Sequence, residues 1–69
     1  MLTIRLNELW SQRLAQMPES GMGYQRVDIT LKGRRVIENV TVFNAEECET
    51  SEDFDPADVV DIQIHRPEN

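Results

Sequence analysis

Residues 27–42 constrain the fold more than any other part of this 69-residue chain. Apolar residues from Val27 to Leu31 alternate with polar ones, a basic turn around Gly33 follows, and a second β-branched run ends at Val42. Alternation with a period of two puts apolar side chains on one face of a strand and polar side chains on the other. The segment therefore predicts an antiparallel hairpin with one apolar face that needs a cover.

The N-terminal residues fit two interpretations. Apolar residues recur at helical spacing between Leu6 and Met17, and on this basis we expect a helix over about 3–17. In the alternative, apolar and polar residues alternate over 2–6 as a first strand, and Asn7 caps a shorter helix. We predict the longer helix.

The remainder of the chain predicts further extended segments. Glu38 and Asn39 interrupt the second hairpin strand, where a β-bulge would change the phase of the alternation. A weak third strand is expected near 47–50, and Asp55 is placed to cap a short helical turn. A last strand alternates over 60–64 and stops before Pro67.

This order of elements predicts a single α+β domain over 1–69, with an N-terminal helix packed on a small, strongly bent antiparallel sheet. The sheet is a β-meander over about 24–66 that contains an acidic loop at 45–58. The expected core is Leu6, Leu9, Trp10, Leu14, Val27, Ile29, Leu31, Val36, Val40, Val42, Val60, Ile62 and Ile64, with Phe54 holding the acidic loop down.

Residues 27–34, Val-Asp-Ile-Thr-Leu-Lys-Gly-Arg, follow a predicted N-terminal helix and enter a meander with one helical turn before its last strand. This arrangement resembles the SH3-like and Sm-like small barrels, and it implies a partial barrel of that kind. The Asp-x-x-Met-Asn segment and the Arg-Gly pair that carry RNA contacts in the Sm-like family do not occur in this sequence. The resemblance therefore implies an architecture and no RNA-binding function.

The charge of the chain restricts its partners. Seven basic and 13 acidic residues give a net charge of −6, which opposes binding to nucleic acids and to anionic membranes. The sequence has no secretory signal and no apolar run long enough to span a bilayer. The one cysteine excludes an internal disulfide and, without export signals, indicates a reducing cytoplasm.

Opposite charges lie in separate parts of the sequence. Residues 46–61 hold eight acids and no base, whereas basic residues cluster at the hairpin turn. The acids form either a solvated loop or a partner-facing patch. The basic turn stays in solvent, contacts a phosphate or an acidic partner, or faces the acidic segment of a neighbouring copy. The helix face that holds Trp10 and Met17 either covers one side of the sheet or serves as a docking surface. The candidate partner surface is Glu46, Glu47, Glu49, Glu52, Asp53, Asp55, Asp58, Lys32, Arg34, Arg35, Trp10 and Met17.

No catalytic constellation is visible in the sequence. His65 falls on the polar parity of the last strand, so we expect it to be exposed. Cys48 lies between two glutamates, and nearby negative charge disfavours its thiolate. We expect no cofactor, no bound metal and no enzymatic activity.

The leading hypothesis is a small non-catalytic protein-interaction module that associates with itself or with another protein. Its basis is a thin core, separated charges and the missing catalytic motif. One alternative is an acidic mimic that occupies a basic, nucleic-acid-binding surface of a partner. A second alternative is a carboxylate metal-binding protein or enzyme using Asp53, Asp55 and Asp58, because carboxylates suit hard cations.

Overall fold

The computed structural model describes residues 1–66. One helix and five strands form a mixed α+β fold, in which all strand pairings are antiparallel. The strands lie side by side in the order β1-β4-β3-β2-β5. In chain order the elements are β1 (Leu2–Arg5), α1 (Glu8–Leu14), β2 (Tyr24–Leu31), β3 (Arg35–Phe43), β4 (Glu47–Thr50) and β5 (Val59–Ile64).

The N-terminal residues adopt the alternative of the two interpretations. The predicted helix over 3–17 is wrong, because residues 2–5 are a strand paired with β4 and α1 has only seven residues. Asn7 caps α1, since its side chain accepts a hydrogen bond from the backbone N–H of Trp10 at 3.2 Å. The later start turns Leu9 to solvent, where it is 55% exposed, although it was expected in the core.

The hairpin forms as predicted and contains the expected bulge. Val27 pairs with Val40 and Ile29 pairs with Ile37, so that the single residue between them on β2 faces both Glu38 and Asn39 on β3. The bulge changes the phase of β3, which makes Ile37 the buried residue. Val36, predicted to lie in the core, is instead 50% exposed.

A second irregularity changes the phase of β5. Leu31 pairs with Val59 and Thr30 pairs with Asp61, which leaves Val60 as an extra residue on β5. Val59 is therefore buried, and the predicted core residue Val60 is 51% exposed.

A single core lies between α1 and the sheet. Phe54 joins it from the segment after β4, as predicted, and Ile64 is partly buried against it rather than fully inside. The buried apolar residues are Leu6, Trp10, Leu14, Val27, Ile29, Leu31, Ile37, Val40, Val42, Cys48, Phe54, Val59 and Ile62.

The segment predicted as an acidic loop over 45–58 contains ordered elements. Its first part forms β4, which matches the third strand expected near 47–50. Its last part is a 3₁₀ turn at Pro56–Asp58, and the Asp55 carboxylate accepts a hydrogen bond from the N–H of Ala57 at 2.9 Å. The acidic residues are thus distributed over a strand, a connecting segment and a capped turn.

Candidate interaction surface

The basic hairpin turn faces acids of its own chain. Lys32 Nζ lies 3.9 Å from an Asp58 carboxylate oxygen, and an Arg35 guanidinium nitrogen lies 3.4 Å from Glu52. All four side chains are about half exposed or more, so each pair contributes on the order of 0–1 kcal/mol. These contacts pair two of the three predicted basic residues, Lys32 and Arg35, with acids of the same chain.

Arg34, the third basic residue of the turn, has a left-handed backbone conformation with φ 65° directly after Gly33 at φ 78°. Within residues 1–66, no acidic group forms an ion pair with it. The structure therefore divides the predicted basic cluster into two side chains that contact acids and one that is exposed to solvent.

Trp10 on α1 and Met17 after its end, both candidates for docking, pack against the core. Trp10 is 6% exposed and belongs to the core, and the Arg13 guanidinium lies 4.8 Å from the centre of its ring. Met17 is partly buried against the same core. The burial of Trp10 in the core favours the interpretation in which this face covers the sheet, and docking at Trp10 stays a prediction.

The predicted acids do not converge on one point. Glu47 and Glu49 lie on β4, whereas Glu52, Asp53 and Asp55 lie in the segment that follows it. In the part of the chain that the structure describes, no three His, Cys, Asp or Glu residues lie close enough together to hold a metal ion. The carboxylates form an extended acidic surface.

His65 is less exposed than predicted. Its Nδ1 lies 2.8 Å from an oxygen of Asp28, and the two side chains are 23% and 32% exposed. The same Asp28 oxygen accepts a hydrogen bond from the backbone N–H of Asn39 at 2.9 Å, on the bulge. A groove of about 640 Å³ beside this pair is lined by Met17, Ile62 and five other residues.

Cys48 is fully buried in the core. Burial raises the pKa of its thiol from 9.0 to about 12. The thiolate is therefore disfavoured, as expected from the sequence, but the cause is removal from water rather than the neighbouring glutamates.

Strand β1 is the most accessible edge of the sheet, and sequence reasoning missed it by assigning its residues to the helix. Among residues 1–66, its one partner strand is β4. Leu2 is 43% exposed, Thr3 and Arg5 are exposed, and the preceding Met1 is 92% exposed. The alternation over residues 2–6 was the signal that could have located it.

The hydrogen-bond pattern shows which groups of β1 are free. The N–H of Leu6 donates to the carbonyl oxygen of Glu46 at 2.8 Å, which makes these two residues a hydrogen-bonded pair. Because such pairs alternate along an antiparallel ladder, Leu2 and Ile4 bond to β4 as well. The backbone N–H and C=O groups of Thr3 and Arg5 therefore point away from the sheet.

Side chains of β1 divide between two faces. Ile4 lies opposite the buried Cys48 and so faces the core. Thr3 lies opposite Glu49, and Arg5 lies opposite Glu47, with 3.8 Å between guanidinium nitrogen and carboxylate oxygen. The outer face of this edge thus presents one basic group on β1 beside two acidic groups on β4.

The opposite edge of the sheet, β5, is less accessible than β1, because Val59 and Ile62 are buried. The backbone N–H of His65 donates to the carbonyl oxygen of Arg26 at 2.8 Å, which makes these two residues a hydrogen-bonded pair. Because such pairs alternate along an antiparallel ladder, the backbone groups of Ile62 and Ile64 point away from β2. Ile62 is nevertheless only 2% exposed. The two edges are therefore unequal, and β1 is the more accessible one.

No protein-family model, no curated protein and no solved structure matches this chain. Among the described residues, no helix has the length and apolarity needed to cross a membrane.

Proposed function

We propose that this chain is a small non-catalytic protein-interaction module that associates with itself. The observation that carries the proposal is the accessible edge of β1, where Thr3 and Arg5 direct outward backbone groups that no strand within residues 1–66 pairs with. An exposed strand edge offers a row of hydrogen-bond donors and acceptors to another strand. Proteins that avoid such pairing protect their edges with short strands, charged side chains, proline or bulges. β1 is short and carries the charged Arg5, but it has no proline and no bulge.

Exposed apolar side chains at the same edge support the proposal. Met1 is 92% and Leu2 is 43% exposed, and covering apolar surface contributes about 25 cal/mol per Å². A domain of 69 residues buries a modest core, so a contact between copies would add substantially to its stability.

The alternative of acidic mimicry has less support. Glu47, Glu52 and Asp58 each lie within 4 Å of a basic residue of the same chain. A mimic of nucleic acid needs its carboxylates available to the basic surface of a partner, and three of them are already neutralised in part.

Two finer points belong to the proposal. We infer a partial barrel of the SH3-like or Sm-like kind, supported by the two bulges, which bend strands where they occur. We also propose a cytoplasmic location, supported by a single buried cysteine, since cytoplasmic proteins keep their thiols reduced.

Sedimentation velocity and light scattering over about 1 µM to 1 mM protein test the proposed self-association. The expected result is a weight-average mass that rises from the 8.0 kDa of one chain as concentration increases. A mass that stays at 8.0 kDa over the whole range would contradict the proposal.

A further inference from the structure

We infer that two copies of this chain pair through their β1 strands in antiparallel orientation, with Ile4 opposite Ile4 of the second copy. This inference rests on the proposed self-association and adds the surface, the partner and the alignment. It would join two five-stranded sheets into one continuous sheet.

The backbone of β1 restricts the possible alignments. Thr3 and Arg5 carry the outward hydrogen-bonding groups, so these residues must bond to their counterparts on the second copy. A shift of one residue would set core-facing side chains against outer-face ones. Three antiparallel alignments remain, with the two-fold axis at Thr3, at Ile4 or at Arg5.

Charge selects among these three alignments. An axis at Arg5 brings two guanidinium groups directly opposite each other, which is unfavourable. An axis at Thr3 sets two threonines opposite each other and aligns Arg5 with Met1 of the second copy. An axis at Ile4 sets Arg5 opposite Thr3 of the second copy, the residue that lies beside Glu49 in the sheet.

In the alignment centred on Ile4, Arg5 lies between two carboxylates. One is Glu47 of its own chain, whose carboxylate oxygen lies 3.8 Å from the guanidinium. The other is Glu49 of the second copy, whose backbone lies two strands away at about 4.8 Å per strand. Extended arginine and glutamate side chains can meet across the small threonine between them. Two-fold symmetry forms this contact twice, and the same pairing places Leu2, now 43% exposed, opposite Leu6 of the second copy.

Cysteine cross-linking tests the alignment. Thr3→Cys and Arg5→Cys change exposed outer-face residues, and in this alignment position 3 lies opposite position 5 of the second copy at a spacing that a disulfide spans. An oxidised mixture of the two variants should yield mainly the mixed dimer. Cys48 is fully buried and should not react, and Gln63→Cys, an exposed position on β5 at the other edge, serves as the control for random cross-linking.

Each other outcome overturns the inference in a distinct way. Cross-linking of Thr3→Cys mainly with itself would place the axis at Thr3. If the chain still associates but mixed cross-links are no more frequent than those of Gln63→Cys, self-association uses another surface. A native chain that stays at 8.0 kDa would instead reject the proposed function itself.

A pair of charge variants gives an independent test. Glu49→Lys should weaken association about tenfold, because it replaces two attractive contacts with two repulsive ones at an exposed site. Asp61→Lys makes the same change in net charge on β5, at the opposite edge of the sheet from β1, and should leave association unchanged or strengthen it by reducing general repulsion. Equal effects of the two variants would overturn the predicted contact between Arg5 and Glu49.

Discussion

The side-chain amide of Gln25 donates a hydrogen bond to the carbonyl oxygen of Leu14 at 2.9 Å inside the protein. The same amide nitrogen lies 3.3 Å from the carbonyl oxygens of Met17 and Pro18. The last residues of a helix leave carbonyls without intrahelical partners. A polar residue of β2, only 3% exposed, thus satisfies the end of α1 and holds the following turn.

We expect Gln25→Met to lower the free energy of unfolding by about 1–3 kcal/mol, because it leaves buried carbonyl groups without a donor. Urea denaturation followed by circular dichroism measures the change. Gln63→Met is the matched control, since Gln63 is exposed and should cost less than about 0.5 kcal/mol. Equal effects of the two substitutions would show that the amide does not stabilise the end of α1.

Asp28 joins the bulge in β3 to the end of the last strand. Its carboxylate contacts the backbone N–H of Asn39 and the ring of His65, so Asp28→Ala should destabilise the fold by about 1–2 kcal/mol. Asp61→Ala removes an acid whose carboxylate accepts a hydrogen bond from the exposed Gln63, and should change stability little. Denaturant midpoints that coincide for the two variants would contradict the predicted role of Asp28.

The buried thiol of Cys48 makes stability depend on pH under alkaline conditions. Its pKa is about 12 in the folded chain and near 9.0 when exposed, so above pH 9 the unfolded chain loses this proton first. The stabilisation is complete below pH 9 and is lost as pH rises towards 12, by about 1.4 kcal/mol per pH unit. Unfolding of Cys48→Ala measured over the same range should lack this component, and parallel pH profiles would contradict the prediction.

The turn between β3 and β4 holds Ala45 in a left-handed conformation with φ 61°. This region costs a residue with a Cβ atom about 1 kcal/mol, whereas glycine adopts it freely. Ala45→Gly should therefore stabilise the protein by a few tenths to about 1 kcal/mol in thermal denaturation. Ala15→Gly should do the opposite, because Ala15 has helical angles at the C-terminus of α1, and a loss of stability in both variants would exclude the predicted strain.

Local sequence pattern predicts the strands well but does not decide between β1 and a longer helix. Leu6 fits both the alternation over residues 2–6 and the helical spacing that follows. The strand forms because β4 is available beside it, and a pairing between residues more than 40 positions apart is a tertiary effect. The candidate interaction surface was missed for the same reason, since an edge strand cannot be recognised while its residues are assigned to a helix.

Bulges explain most of the errors in the predicted core. The interruption at Glu38 and Asn39 predicts a bulge, but the pattern does not show that the bulge changes which preceding residues face the core. The predicted core therefore contains Val36 in place of Ile37. The extra residue in β5 gave no comparable signal, because Val59 and Val60 have the same side chain. One added residue reverses the two faces of a strand, and only the partner strand determines where it lies.

The unequal edges of the sheet set a limit on assembly. When an edge strand pairs with its own copy around a two-fold axis, its outer hydrogen-bonding groups are all engaged in that contact. At the other edge Ile62 is buried, so once the two β1 strands are paired a third molecule finds no equivalent edge to extend. A protein built this way can reach a closed pair without growing into a filament.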